Sequence, residues 1–280
     1  MIKVTALQTG TVAIKTRQQA GVDGRSALGR KIDMLRDPVW SAPLPILCYL
    51  VEHPEGNFVV DTGDTWRNSL RGYLPRWNPF YTTQVIVKVG PHEEVGDRIR
   101  AHGLDPARDI STVLMTHMHH DHAGGLHHFP HSRIIVPREN WKAANSLAGK
   151  VQGNLPQRWP IWLKPDLVEA DGPAIGPFAR AKRITRDGRI LMVETPGHCK
   201  GHMSVIVRGE GVTWFITGDA TYSEDNLRAD LVDGVTYNPD LSKASQARIR
   251  AFAEAEPTVI LPAHDDKAVE RLEQGIVFRR

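Results

Sequence analysis

Apolar residues along this chain fall mostly into short runs bounded by polar residues and glycine, the pattern of strands rather than of long helices. Residues 2–8 alternate apolar and polar, as a strand with one buried face does. Further runs predict strands over 44–53, 57–61, 113–115, 133–136, 190–194, 213–217 and 259–262. Helical spacing is expected over 91–102, over 137–148 with Trp141 facing inward, over 242–255, and in a last helix through Glu270 and Leu272. Two strand-rich halves with helices between them predict an α/β fold of αββα order, two mixed sheets face to face with helices on both outer sides. At 280 residues the chain can bury a full core and is expected to form one domain over 1–280.

Three stretches fit neither period: 17–43, 64–83 and 152–166. Long irregular segments in compact domains often serve as lids or binding walls. Trp66, Trp77, Phe80 and Trp159 are therefore candidates for an apolar pocket, with loop packing or a homodimer interface as the other reading.

Composition narrows the setting without choosing a function. Hydrophobic residues make up 41% and charged residues 24%, ordinary for a globular protein. The formal net charge of +3, without a dense Lys/Arg cluster, gives no footprint for nucleic acid. No segment approaches a membrane span of about 20 apolar residues, and the N-terminus lacks a signal-peptide pattern, so the expected compartment is the cytoplasm. Cys48 and Cys199 supply no disulfide framework; Cys199 is expected to be a packed thiol.

The densest chemistry lies in His117-Met118-His119-His120-Asp121-His122, which follows the apolar run Val113-Leu114-Met115 after Thr116. Imidazole nitrogens and carboxylate oxygens are the ligands of zinc-type ions, and one site needs three or four of them. Ala123-Gly124-Gly125 follows, small enough for backbone to pass close by. Three more strands run into ligand-type residues: His198 after Thr195-Pro196-Gly197, Asp219 after Gly218, and His264 after Pro262-Ala263. Strand ends of this kind can bring all of these side chains to one sheet edge.

This ensemble resembles the metallo-β-lactamase superfamily over most of the chain. The resemblance implies one metal site at His117, His119 and His198, a second at Asp121, His122 and His264, and Asp219 bridging the two. Two divalent ions follow, zinc first on ligand type, with iron, manganese and cobalt also suited. Tyr222, three residues after Asp219, resembles the N-acyl homoserine lactonase branch, where the matching tyrosine donates a hydrogen bond to the substrate carbonyl. Asp61-Thr62-Gly63 is also similar to the superfamily, with Asp61 expected to orient a ligand imidazole.

Two ions about 3.5–4 Å apart can share a hydroxide formed from water at neutral pH. Asp121, touching one ion, would keep an oxygen free to move a proton to the leaving group. The resemblance thus implies a lactone-opening hydrolase acting on small molecules in quorum quenching, with other lactones, carboxylic esters or phosphotriesters as the alternative and a non-catalytic metal-binding protein last. The short stretch after His264 leaves little room for the helical appendage of a glyoxalase II-like thioesterase. Asp219 argues against a true β-lactamase. His202 is expected to support a ligand rather than be one, and no role is expected for His53, His92, His102, His120, His127, His128 or His131.

Overall fold

The computed structural model describes residues 1–279. Its first sheet has seven strands in the order β4-β1-β2-β3-β5-β6-β7: β1 (Lys3–Ile14), β2 (Leu44–His53), β3 (Gly56–Val60), β4 (Val85–Lys88), β5 (Ile110–Leu114), β6 (Arg133–Pro137) and β7 (Asp166–Val168). Strands β4 through β3 pair antiparallel, and β3, β5, β6 and β7 pair parallel. The second sheet has the order β12-β11-β10-β9-β8: β8 (Ala181–Arg183), β9 (Ile190–Glu194), β10 (Met203–Arg208), β11 (Thr213–Gly218) and β12 (Thr258–Pro262). Only β11 and β12 run parallel there.

Successive strand side chains point to opposite faces, and the burial pattern separates into layers accordingly. Tyr49 and Val51 of β2 meet Val205 and Val207 of β10 in the core between the sheets. Their neighbours Cys48 and Leu50 face outward onto Val95 and Ile99. Ile206 and Phe215 pack outward against Ile249 and Phe252. Both faces of each sheet are therefore covered, which is why β2 reads as a near-continuous apolar run; β4, β7, β8 and β10 lie outside the runs that predict strands.

Ten α-helices and three short 3-10 helices complete the described chain, the α-helices being α1 (Thr16–Gln19), α2 (Ala27–Arg36), α3 (Pro79–Thr83), α4 (Val95–Ala101), α5 (His120–Ala123), α6 (Arg138–Ala144), α7 (Leu147–Val151), α8 (Glu224–Arg228), α9 (Pro239–Ala255) and α10 (Ala268–Gln274). No helix among the described residues is long and apolar enough to cross a membrane. Several bounds differ from the sequence pattern for local reasons. The helix expected over 137–148 is two, because the chain turns at Asn145 and Ser146 caps α7 by accepting from Gly149 N. Helix α9 begins three residues before Ser242, where Asn238 accepts from Asp240 N and Leu241 N and Pro239 takes the first turn. Strand β1 continues past residue 8 to Ile14 through a shift in register between Gln8 and Thr11. The irregular stretch 17–43 contains α2, capped by Ser26.

Candidate metal centre and substrate chamber

The ligand-type residues gather where strands of both sheets end, not at the edge of one sheet. β3 leads to Asp61 and β5 to Thr116 and His117; β9, β11 and β12 of the second sheet lead to His198, Asp219 and His264. His119 is the N-cap of α5, and Asp121 and His122 lie in its single turn. Gly124 and Gly125 let that turn close on the end of β3. A Cβ at Gly125 would lie 2.3 Å from Thr62 O and one at Gly124 2.8 Å from Asp64 Oδ1. Asp61 itself has φ +58°, a left-handed backbone that Asp tolerates better than most residues.

Two groups of ligand atoms form. His117, His119, His198 and Asp219 make one, and Asp121, His122 and His264 the other. His119 Nδ1 stands 3.0 Å from both His117 Nε2 and His198 Nε2. Asp219 lies between the groups: Oδ2 is 3.4 Å from His198 Nε2 and 4.0 Å from His117 Nε2, while Oδ1 is 3.3 Å from His122 Nε2 and 3.5 Å from His264 Nε2. Asp121 Oδ2 is 3.5 Å from His264 Nε2.

The outer nitrogen of each supporting imidazole has a partner that asks for a proton. His264 Nδ1 donates to Pro45 O at 2.9 Å, His122 Nδ1 to Asp61 Oδ2 at 2.8 Å, and His198 Nδ1 to Asp233 Oδ2 at 3.2 Å. Thr116 gives its hydroxyl proton to Asp61 Oδ2, so its oxygen accepts from His117 Nδ1 at 3.0 Å. In the neutral forms of these four rings Nε2 then carries the lone pair, and those lone pairs converge with Nδ1 of His119, which turns its other nitrogen to the same point. His122 Nε2 and Asp219 Oδ1 are buried without a hydrogen-bond partner. Buried lone pairs facing one another and a carboxylate are unfavourable unless a cation lies among them. The residues therefore fit divalent metal.

The electrostatics of the ligand rings divide. Burial opposes charge on His122, His198 and His264, but carboxylates outweigh it and raise all three, Asp219 and Asp61 at His122, Asp233 at His198 and Asp219 at His264. This side of the site thus draws positive charge, which a cation would supply in place of ring protons. Burial, then the neighbouring His122 and His119, holds His117 well below the usual imidazole range, and burial with His198 does the same for His119. Burial opposes charge on Asp219, but His122 and His264 outweigh it and keep the carboxylate ionised. Asp121 is likewise held down to about 2 against burial, by His120, His122 and His264. His202 is not among the converging atoms. Its Nε2 accepts from Asp219 N at 3.1 Å and its other nitrogen meets Thr195 Oγ1 at 2.9 Å, so it holds the backbone of Asp219. Burial and His198 lower it to about 3, matching that acceptor role.

Above these residues opens a chamber of about 220 Å³ floored by His119, Asp121, His198, Asp219 and His264. Tyr222 lines it, buried, with its ring 5.3 Å from that of His264 and 5.9 Å from that of His198. Burial pushes its phenol up, so it keeps its proton. Of the four aromatic candidates only Phe80 lines the chamber. Trp159 stacks on Trp141 with centroids 4.8 Å apart, Trp77 is 63% exposed, and Trp66 sits on Glu94 through its backbone N–H. The rest of the apolar wall comes from Met34 and Leu35, inside the irregular stretch 17–43 expected to form a lid or wall, and from Val12, Ile14, Val85 and Val235, outside all three such stretches.

Several histidines for which no role was expected are engaged. His120 is buried, bonded through Nδ1 to Asp64 Oδ2 at 2.9 Å, and lines the chamber. His127 and His128 both face the buried Glu94 carboxylate. His53 pairs with Asp187 at 3.0 Å. His92, His102 and His131 are exposed. Sequence reading missed Asp233, Thr116 and Asp64; only Asp64, three residues past Asp61, carried a local signal. Cys48 and Cys199 are buried free thiols.

Comparison with known proteins places this geometry in a family. The signature described as the Metallo-beta-lactamase superfamily matches residues 42–264. N-acyl homoserine lactonase AiiA of Bacillus thuringiensis subsp. kurstaki is 27% identical over 227 residues, 79% of this chain and 82% of that protein. N-acyl homoserine lactonase AttM of Rhizobium radiobacter is 25% identical over 276 residues, 95% of this chain and 94% of its own. Among solved structures, an N-acyl homoserine lactone hydrolase with N-hexanoyl-L-homoserine at its catalytic metal centre superposes with a TM-score of 0.74 at 23% identity, covering 99% of this chain and 97% of that one. The dizinc quorum-quenching lactonase AidC gives a TM-score of 0.66 at 15% identity, covering 95% and 88%. With its signature spanning both ligand groups and its fold shared across the length of these structures, the chain belongs to the metallo-beta-lactamase superfamily.

Proposed function

We propose that this metal-dependent hydrolase holds two divalent ions and opens lactone rings, N-acyl homoserine lactones first, an activity that would quench acyl-lactone signals. The observation that carries the reading is Asp219 between two ligand groups, one oxygen toward each, at the floor of a largely apolar chamber. His117, His119 and His198 would hold one ion, Asp121, His122 and His264 the other, and Asp219 both. Zinc suits this nitrogen and oxygen donor set best, and iron, manganese and cobalt are compatible with it. Bound there, the ions supply Lewis acidity and a water-derived nucleophile at neutral pH.

The chain's own residues do the rest. Tyr222 donates a hydrogen bond to the ring carbonyl oxygen, a bond that strengthens as negative charge develops there. The oxygen of water adds to the carbonyl carbon, and the ring C–O bond breaks. Asp121, with Oδ2 toward His264, takes a proton at Oδ1 and returns it to the departing ring oxygen, leaving a hydroxy acid. The apolar wall of Val12, Ile14, Met34, Leu35, Phe80 and Val235 takes the acyl arm and excludes water. The relatives named as N-acyl homoserine lactonases support this choice over phosphotriesters. Assaying the metal-loaded protein against acyl lactones, alkyl lactones, thioesters, phosphotriesters and β-lactams tests it. Acyl lactones should lead in kcat/KM; a lead for any other class overturns the substrate assignment.

A further inference from the structure

Charge is unevenly laid out along this chain. Residues 65–92 contain four Lys/Arg and no Asp or Glu, residues 140–165 likewise, and residues 25–36 contain four Lys/Arg against Asp33 alone. These three segments carry +11 in a chain whose formal net charge is +3, which leaves −8 for the remainder. They also meet around one opening. Leu35 of α2, Phe80 of α3 and Val151 of α7 all line the substrate chamber, and Asn78 Nδ2 donates to Val151 O at 3.1 Å.

The rim of that opening is apolar as well as basic. Leu35 and Val151 line the chamber yet are more than half exposed, so they stand at its mouth. Ile32 and Leu28 lie one and two turns before Leu35 and extend the same face of α2. Leu147 lies one turn before Val151 on α7. Leu28 is 69% exposed and Leu147 82%, and Trp77, next to Asn78, is exposed with them. Arg36, Arg71 and Arg76 flank these residues in sequence, are exposed, and form no ion pair among the described residues. Large apolar side chains gathered in water mark a contact surface.

We propose that this rim docks on an anionic lipid surface with the chamber mouth turned toward the bilayer. Leucine and tryptophan beside unpaired arginine are the composition of an interfacial membrane contact. The arginines draw the rim to anionic head groups, and the acidic remainder of the chain orients the molecule with this face inward. A second copy fits the charge poorly, because a two-fold pairing sets the same basic face against itself. Nucleic acid would meet the charge and leave the leucines in water. The docking does not depend on which substrate the chamber takes.

The test is flotation of the metal-loaded protein with two kinds of vesicle, phosphatidylcholine alone and phosphatidylcholine with phosphatidylglycerol in equal parts. The protein should float with the anionic vesicles and not with the neutral ones. It should release as salt rises from about 0.05 M to about 0.5 M, where the screening length falls about threefold. Arg36→Gln with Arg76→Gln removes two rim charges, each worth about 5-fold near an anionic surface, so partitioning should fall roughly 5- to 25-fold. Leu28→Ser with Leu147→Ser keeps the charge and should lower it by about 10-fold. Arg183→Gln with Arg186→Gln removes two exposed charges before β9, at the far end of that sheet from His198, and should leave binding unchanged. Circular dichroism checks each fold; if a variant fails it, the wild-type lipid and salt comparisons decide. Equal flotation with both vesicle types, none with either, or equal losses in the two arginine pairs overturns the inference. Anionic binding that the leucine variant keeps in full is charge adhesion alone and overturns it too. So does a dimer in light scattering that the leucine variant turns into monomers, since a second copy then covers the face. No readout here measures ring opening, so the docking and the functional reading fail separately.

Discussion

Replacing Asp61 by Asn should weaken metal binding although Asp61 belongs to neither ligand group. Its Oδ1 accepts Thr116 N–H at 2.7 Å, and its Oδ2 accepts both the Thr116 hydroxyl and His122 Nδ1–H at 2.8 Å. An amide has one acceptor. If its oxygen keeps Thr116 N–H, its NH2 faces His122 Nδ1 and Thr116 Oγ1, and donor meets donor. His122 then relaxes by moving its proton to Nε2, the atom beside Asp219. Thr116 turns its hydroxyl toward His117 Nδ1, which pushes the His117 proton to Nε2 as well. One substitution thus blocks a lone pair in each ligand group. Carboxylates behind metal-binding imidazoles typically contribute 10–100-fold in affinity, which corresponds to about 1.4–2.7 kcal/mol. Asn also tolerates a left-handed φ, so the backbone at +58° is not an added burden. Titrating metal-free protein with Zn²⁺ against a chromophoric chelator measures the loss, with circular dichroism as the folding control. A folded Asp61→Asn variant binding both ions within about twofold of wild type would refute the tautomer argument.

Four further outcomes follow. Tyr222→Phe should cost about 10-fold in kcat on lactones, about 1.4 kcal/mol of barrier, at unchanged metal content; kinetics equal to wild type would remove the carbonyl hydrogen bond. Asp219→Ala should lose metal, whereas Asp121→Asn should keep it and lose turnover, so metal analysis beside initial rates separates the bridge from the proton carrier. Phe80→Ala should raise KM for long-chain acyl lactones by roughly 5- to 30-fold, about 1–2 kcal/mol of lost burial, while Trp77→Ala should not; equal effects would place the acyl arm elsewhere. Burial opposes charge on Glu94, yet hydrogen bonds from His127, His128 and Thr65 outweigh it and hold the carboxyl below its usual range. Its stabilisation is therefore complete above an ordinary carboxylate pKa of about 4.3 and fades as pH falls below that toward the folded value. In metal-free protein, Glu94→Gln should melt below wild type at pH 7 with a gap that narrows on acidification; a gap constant with pH would contradict this.

The layers and the converging ligand residues were legible because both rest on local pattern. Strand alternation assigns Tyr49 and Leu50 to opposite faces, and a ligand immediately after an apolar strand must emerge at that strand's end. What was not legible depends on distant segments. Asp233 meets His198 across 35 residues, and nothing near Asp233 marks it. The chamber wall was legible only in part: Phe80 and the irregular stretch at Met34 and Leu35 do line it, but Trp159 is taken by Trp141, and nothing near Val12 and Ile14 of β1 marks them as facing the site. His120 looked idle between two ligands because its partner, Asp64, lies 56 residues away.

The central claim, two ions serving one lactone-opening site, is tested most directly by stoichiometric reconstitution. Metal-free protein is titrated with Zn²⁺ while opening of N-hexanoyl homoserine lactone is followed by proton release. Activity should climb until two ions per chain are bound and then level off. A plateau at one ion, or no ring opening with both ions bound, would contradict the account.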